Sequence, residues 1–186
     1  LMWANHDVNL MWDRRNADDA ATRRNQATIW RGSVDRQELE KIARRWIEKY
    51  FSQPTYYKID GKPVFMIYDL NKLVEGLGGV DATRSALDWF REEVKKAGHP
   101  GLELQLSMRK HSDRSLSGIA GDNLGTQREL VEKLGFDSLT HYQFCHFADV
   151  NRDYKVVMQD VKKEWDAVQA NYKAAYYPHV SVGWDS

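Results

Sequence analysis

Residues 63–68 read Pro63-Val64-Phe65-Met66-Ile67-Tyr68, a continuous apolar run. Strands that are covered on both faces, as in parallel sheets, have such runs, whereas strands with one solvated face alternate apolar and polar residues. Asp60-Gly61 lies just before the run and suits the positive φ angles of a tight turn. The stretch therefore predicts a buried strand of a parallel sheet that is entered through a tight turn.

The segments around this run alternate between helix and strand patterns. Apolar residues three or four positions apart predict helices from Asp35 to about Tyr50, Asp81 to Gly98, Thr126 to Gly135 and about Asp153 to Tyr172. Further strands are predicted over residues 1–4, 102–107, 136–142 and 176–182. Because crossovers between parallel strands are right-handed, this order predicts a parallel α/β sheet with helices outside.

Two architectures fit this order, a TIM-type (β/α) barrel and a doubly wound sheet. The segments after strands are long (residues 5–34, 108–125 and 143–152), which is typical of the barrel rim that carries active sites. No GxGxxG or GxxxxGK[ST] motif supports the doubly wound alternative, and we expect no cofactor. We predict a barrel.

The length of the chain limits how much of such a barrel it contains. The sequence predicts about five strands and four helices in 186 residues, whereas a closed eight-stranded barrel takes about 250 residues. We therefore expect one partial barrel domain over residues 1–186, within a longer chain.

Composition excludes several functional classes. Lysine plus arginine and aspartate plus glutamate each total 27, so no net positive charge favours nucleic acid as a partner. No apolar run approaches the roughly 20 residues that cross a bilayer, and we expect no membrane span. The single Cys145 excludes an internal disulfide framework and a cysteine-based zinc site.

Three segments resemble one family. They are Trp3-Ala4-Asn5 with Trp12-Asp13, the stretch from Tyr57 to Phe65, and Tyr177-Pro178 through Gly183-Trp184-Asp185. These segments are similar to the third, fourth and seventh barrel strands of the glycoside hydrolase family 99-like proteins, also described as WbsX-like proteins of polysaccharide gene clusters. The resemblance implies barrel strands three to seven, with the missing strands supplied by the same longer chain or by a partner chain.

This resemblance implies a glycoside hydrolase-like protein, secreted or periplasmic, with an oligosaccharide or polysaccharide substrate. The chain departs from the family at His6, where a glutamate is usual, and the family's paired glutamates of the eighth strand match nothing before Ser186. No catalytic residue is therefore assigned. The alternatives are a glycosyltransferase role, a non-catalytic glycan-binding module and a doubly wound nucleotide-binding domain.

The candidate substrate-binding residues lie at the ends of predicted strands, where barrel sites are built. Indole and phenol rings pack against sugars, and carboxylates, amides and imidazoles bond their hydroxyls. The candidates are Trp3, Asn5, His6, Asp7, Trp12, Asp69, His141, Tyr142, Trp184 and Asp185. We expect no metal site, because no spaced set of ligands accompanies the adjacent pair His6 and Asp7.

Structural roles compete with binding at several of these positions. Asn5 could form an Asx turn, Asp69 could cap a helix or turn, and the tryptophans could pack in the core. Glu103 lies on the polar face of its strand, where pairing with a lysine or arginine is favoured over catalysis. The mixed-charge run from Asp13 to Arg24 is typical of a solvated segment, and contact with an anionic glycan is the alternative.

Overall fold

A computed structural model of the chain describes residues 1–9, 28–112, 115–117 and 123–181. The predicted site residues Trp12, Trp184 and Asp185 lie outside this part, as does the charge-rich run of residues 13–24. In chain order the elements are β1 (Met2–Trp3), β2 (Val8–Asn9), β3 (Thr28–Trp30), α1 (Arg36–Trp46), β4 (Lys58–Ile59), β5 (Lys62–Ile67), α2 (Leu70–Leu77), α3 (Val80–Lys96), β6 (Glu103–Met108), β7 (Ser115–Ser117), β8 (Asn123–Thr126), α4 (Gln127–Leu134), β9 (Ser138–His141), α5 (Tyr154–Asn171) and β10 (Ala175–Tyr176).

A parallel sheet organises the described residues. Its strands pair in the order β1, β5, β6, β9, β10, which is also their order along the chain. These are the five strands that the sequence predicts, so the parallel α/β class is confirmed. Short antiparallel hairpins, β2 with β3 and β7 with β8, lie within the long segments that follow β1 and β6.

The two faces of the sheet have different surroundings. Phe65 and Ile67 of β5 and Leu104 and Leu106 of β6 pack in the main core with apolar residues of all five helices. We call this side the helix face. Since side chains alternate along a strand, Met66 and its register partner Gln105 lie on the other side, which we call the inner face.

The inner face is also shielded from solvent, as the continuous apolar run predicts. All six residues of β6 are buried, including Glu103 and Gln105. Glu103 Oε2 lies 3.9 Å from Lys62 Nζ at the amino ends of the strands, and Gln105 donates a hydrogen bond to Ser138 Oγ. The contact of Glu103 with Lys62 supports its structural role over a catalytic one.

Local sequence signals explain the ends of the predicted helices. The Asp35 side chain accepts a hydrogen bond from the Glu38 backbone N–H at the start of α1, which continues into a π-helical turn, Ile47–Phe51. Thr126 and Glu129 form a reciprocal capping box on α4, and Gly135 ends that helix at φ 69°. These signals agree with the predicted boundaries because they depend only on residues close in sequence.

One helix was not predicted. Helix α2 follows β5 directly, with Asp69 as its N-cap and Gly78 in the left-handed conformation as its C-cap. Its Leu70, Leu73 and Leu77 have helical spacing and are buried. The described residues thus contain five helices rather than four, and the cap alternative for Asp69 is realised.

The tight turn before β5 is confirmed. Asp60 and Gly61 have φ angles of 50° and 79°, and they join β4 to β5 as an antiparallel pair. In the part of the chain that the structure describes, no helix is both long and apolar enough to span a membrane.

Phe65 provides a test of the central packing. Its ring is 1% exposed and lies between Trp46 and Phe90, at centroid distances of 4.6 Å and 5.3 Å. We expect Phe65→Ala to lower the free energy of unfolding by about 3 to 5 kcal/mol, because a large cavity would remain at the centre of the sheet. Urea denaturation followed by tryptophan fluorescence measures this loss.

The matched control is Tyr57→Ala, since Tyr57 is also aromatic but is 69% exposed. We expect this variant to change the free energy of unfolding by less than about 0.5 kcal/mol. Equal losses in the two variants would contradict the assignment of Phe65 to the core.

Candidate functional site

The carboxyl ends of the parallel strands meet at one rim, where open and closed parallel α/β sheets bind their ligands. His6 follows β1, Tyr68 follows β5, Arg109 follows β6 and Tyr142 follows β9. Side-chain alternation puts Tyr68, Arg109 and Tyr142 on the inner face, and the contact of the His6 ring with Tyr68 at 5.5 Å brings His6 to the same place. This rim is the candidate site.

Three aromatic contacts form a continuous row across the rim. The ring of Tyr68 lies edge-on to His6 at 5.5 Å and to Tyr142 at 4.9 Å, and Tyr142 stacks on His146 at 5.8 Å. We call these four residues the aromatic row. Ser107 of β6 lies between β5 and β9 on the same face, and its small side chain leaves room for the two tyrosines to meet.

The two tyrosines keep their hydroxyl groups available. Among the described residues, neither the Tyr68 nor the Tyr142 hydroxyl makes a hydrogen bond, and neither side chain is exposed beyond an intermediate degree. His146 is largely shielded, and its Nε2 is buried without a partner in the same part of the chain. Burial, followed by the charge of Arg109, lowers the pKa of His146, so its ring is neutral near pH 7. The row therefore offers aromatic rings and two unpaired tyrosine hydroxyls.

A pocket of 220 Å³ adjoins the row between the ends of β5 and β6. Tyr68, Asp69, Ser107, Arg109 and Lys110 contribute to its lining. The Arg109 guanidinium carbon lies 5.4 Å from the centre of the Tyr68 ring, a cation–π contact that fixes the cation above the ring. The pocket also reaches helix-face residues such as Leu106 and Met108, so it combines one aromatic ring and apolar side chains with a cationic edge.

Asn5 joins β1 to β5, its neighbour in the sheet, at this rim. Its side-chain Nδ2 donates to the Asp69 carbonyl at 2.6 Å, and its Oδ1 accepts from the Asp69 backbone N–H at 2.8 Å. The residue is 1% exposed and lies on the helix face. Its amide is thus engaged in holding the end of β1 against the end of β5.

Asp69 and Asp7 both have protein partners. Asp69 Oδ1 accepts from the Lys72 backbone N–H at 3.0 Å as the α2 cap, while Oδ2 lies 3.8 Å from Arg109 Nη2. Asp7 accepts from the Gly32 N–H at 2.9 Å and pairs with Lys72 Nζ at 3.0 Å. The Gly32 hydrogen bond, followed by Lys72, lowers the pKa of Asp7.

Gly32 allows the hairpin strand to lie against the rim. A side chain at this position would overlap the His6 main chain, so only glycine permits the close approach that forms the Asp7 hydrogen bond. Lys72 in turn is shared with Glu75 at 2.9 Å. The loop after β1 is therefore tied down at Asp7, which leaves the His6 ring to join the aromatic row.

His141 lies on the helix face and takes part in a separate buried network. Its Nε2 donates to Glu164 of α5 at 3.2 Å, since the carboxylate only accepts, and its Nδ1 accepts from the Tyr176 hydroxyl at 2.6 Å. Glu164 also accepts from the His111 backbone N–H. Burial lowers the pKa of His141, and the neighbouring Glu164 opposes this effect only in part. His141 therefore connects α5 to the sheet rather than facing the row.

Trp3 likewise lies on the helix face, where its ring packs on Trp46 at 5.6 Å. Of the candidates that the structure describes, the inner face of the rim brings together only His6 and Tyr142. Sequence reasoning missed Tyr68, Arg109 and His146. The available signal was alternation: Tyr68 continues the series of Val64 and Met66, and Arg109 that of Gln105 and Ser107.

In the described ranges, no group of three or more histidine, cysteine, aspartate or glutamate side chains could hold a metal ion. The expected absence of a metal site stays a prediction, because part of the chain lies outside these ranges.

Comparison with known protein families shows which family the chain belongs to. Residues 1–186 match the family described as Glycosyltransferase WbsX. The chain belongs to this family. The resemblance to WbsX-like proteins is thereby confirmed over the whole chain, and a glycan-related role follows from it. Searches of the curated proteins and of the solved structures found no match.

The bond between Asn5 and Asp69 gives a test of how this WbsX-family rim is held together. We expect Asn5→Ala to lower the free energy of unfolding by about 2 to 4 kcal/mol, because it leaves two backbone polar groups of Asp69 unpaired. Asn151→Ala is the control, since Asn151 is exposed in a loop. Chemical denaturation of both variants checks this, and a loss at Asn5 no greater than at Asn151 would contradict it.

The His141 network predicts a pH dependence of stability in the WbsX-family chain. The pKa of folded His141 is below its ordinary value of 6.5, so the unfolded chain binds the proton more readily. Stability from this site is complete above pH 6.5 and decreases as the pH falls below that value. His146 and His179, whose pKa values burial also lowers, act in the same direction.

Urea unfolding at about pH 7.5 and about pH 5.5 measures this dependence. We expect the wild-type protein to be less stable at the lower pH, and His141→Gln to have a smaller pH-dependent loss. An equal loss in the variant would show that His141 does not cause the pH dependence of stability.

Proposed function

We propose that the chain is part of a glycoside hydrolase-like (β/α) barrel and that it binds a glycan along the aromatic row. The observation that carries the proposal is the contact of Tyr68 with Tyr142 at 4.9 Å on the inner face, with both hydroxyls unpaired in the described residues. Aromatic rings pack against the C–H faces of sugars, and phenol hydroxyls donate to and accept from sugar hydroxyls.

The barrel part of this proposal rests on strand order. Five parallel strands pair in chain order without a reversal. A doubly wound sheet has a point where the order reverses, whereas a barrel does not. We propose that residues 1–186 form one domain whose missing strands come from the same longer chain or from a partner chain.

Other predicted binding residues fit the same proposal. Trp12, Trp184 and Asp185 follow the first and last predicted strands, and we propose that they extend the sugar-binding rim. His6 is part of the row itself, while Asp7 and Asn5 hold the loop that carries it. Asn5 and Asp7 therefore contribute to binding by holding His6 in place.

Hydrolysis requires two carboxyl groups, about 5 to 9.5 Å apart, on either side of the scissile bond. At the rim, Asp69 caps α2 and Asp7 is paired with Lys72, so both described carboxylates have structural partners. We propose that the catalytic pair is supplied from outside the described residues, as the family resemblance implies. The engagement of Asp7 and Asp69 also favours a second candidate, a glycan-binding module without catalysis.

A glycan array followed by an assay for released reducing ends, without any nucleotide sugar, tests these roles. We expect oligosaccharide binding, and released reducing ends would identify the hydrolase. Binding without release in long incubations would favour the non-catalytic module. Extension of an acceptor only after a nucleotide sugar is added would instead identify a transferase. Absence of any glycan binding would contradict the proposal.

The aromatic row predicts a specific effect of removing hydroxyl groups. We expect Tyr142→Phe and Tyr68→Phe each to weaken glycan binding by about threefold to tenfold, because each loses one hydrogen bond while its ring remains. Tyr57→Phe is the control, since Tyr57 is 69% exposed and lies just before β4, away from the rim. Isothermal titration calorimetry with a glycan from the array measures the affinities. Equal affinities in all three variants would exclude the row as the binding site.

A further inference from the structure

The pocket beside the aromatic row has a cationic edge. The guanidinium of Arg109 and the ammonium of Lys110 follow β6 directly, and both residues line the pocket. The side chain of Arg109 is 57% exposed, and Lys110 is also exposed. Two positive groups are therefore accessible at one side of a sugar-sized space.

The nearby carboxylates compensate this charge only in part. Asp69 Oδ2 lies 3.8 Å from Arg109 Nη2, which is longer than a hydrogen bond, and the other oxygen of Asp69 is occupied by the α2 backbone. Asp7 and Glu75 are both paired with Lys72. Among the described residues, Lys110 forms no ion pair.

Arg109 also contacts the aromatic row. Its cation–π contact with Tyr68 favours a guanidinium position where the pocket meets the row. The planar guanidinium can donate two parallel hydrogen bonds to two oxygens of a carboxylate or sulfate group, whereas a neutral hydroxyl has a single uncharged oxygen that does not match this geometry. A sugar ring that contacts Tyr68 and carries an acidic group would place that group near Arg109.

We propose that this pocket recognises an acidic substituent of the glycan, a uronic acid carboxylate or a sulfate ester, with Arg109 as the main partner and Lys110 as a second positive charge. This inference rests on the proposed glycan binding, and it defines the class of glycan. The row would hold the sugar rings while Arg109 selects acidic over neutral residues.

The test uses an array of matched pairs in which each acidic oligosaccharide is printed beside its neutral counterpart. Oligogalacturonides are paired with their methyl esters, and sulfated chondroitin oligosaccharides with their desulfated forms. We expect the bound glycans to be acidic members, and the pair that responds identifies carboxylate or sulfate. We also expect binding of the acidic member to weaken as salt rises, because exposed charges are screened.

Arg109→Gln is expected to weaken binding of the acidic member by about tenfold and to change binding of the neutral member by less than about twofold. Arg109→Lys keeps the positive charge but cannot donate the two parallel hydrogen bonds, and we expect an intermediate loss of affinity for the acidic member. Lys110→Gln should give a smaller loss, and it changes an exposed side chain. The control is Arg45→Gln, because Arg45 is an exposed arginine in the last turn of α1, away from the rim.

The outcomes separate this inference from the proposal on which it rests. Equal binding of acidic and neutral members, with Arg109→Gln and Lys110→Gln both like wild type, would overturn the acidic specificity and leave glycan binding intact. Failure of every glycan to bind would overturn both. Thermal unfolding of each variant shows whether a loss of binding reflects a loss of fold.

Discussion

Parallel pairing of β5 with β6 is the interaction on which the rest of the structure depends. It places Phe65 and Ile67 beside Leu104 and Leu106 under the helices, and it puts the carboxyl ends of both strands at one rim. A slip of one residue would turn the apolar set of either strand to the other face. The same register that buries the core on the helix face therefore also puts Tyr68 and Arg109 together on the inner face.

The rim combines rigid support with accessible chemistry. Asn5 bonds both backbone groups of Asp69, and Asp7 bonds Gly32 and Lys72, so the loops after β1 and β5 are held by buried or half-buried polar contacts. The rings above them are left with unpaired hydroxyls. Such a division is common in binding sites, where supporting residues lock the positions of those that contact the ligand. The surface on which we propose that sugar binds is therefore preorganised.

The predicted site residues differ from the residues that the rim brings together mainly because side chains alternate between the two faces of a strand. Prediction selected residues at strand ends but did not use the two-residue period to sort them by face. Trp3, Asn5 and His141 lie on the helix face, where they pack or form hydrogen bonds within the protein, while Tyr68 and Arg109 on the inner face were missed. Asp69 lines the pocket but is also the cap of a helix that was not predicted.

By itself the sequence determined the five strands of the parallel sheet, four of the five helices and the parallel α/β class. The apolar run of residues 63–68, the caps at Asp35 and Thr126 and the turn at Asp60-Gly61 act over a few residues, so their structures follow from local chemistry. Only the tertiary structure decided which strand ends meet, that Tyr68 contacts Tyr142 across β6, that Asn5 bonds the backbone of Asp69, and that Asp7 pairs with Lys72. Those contacts join residues far apart in the chain, and they depend on strand register and face, which local patterns do not specify.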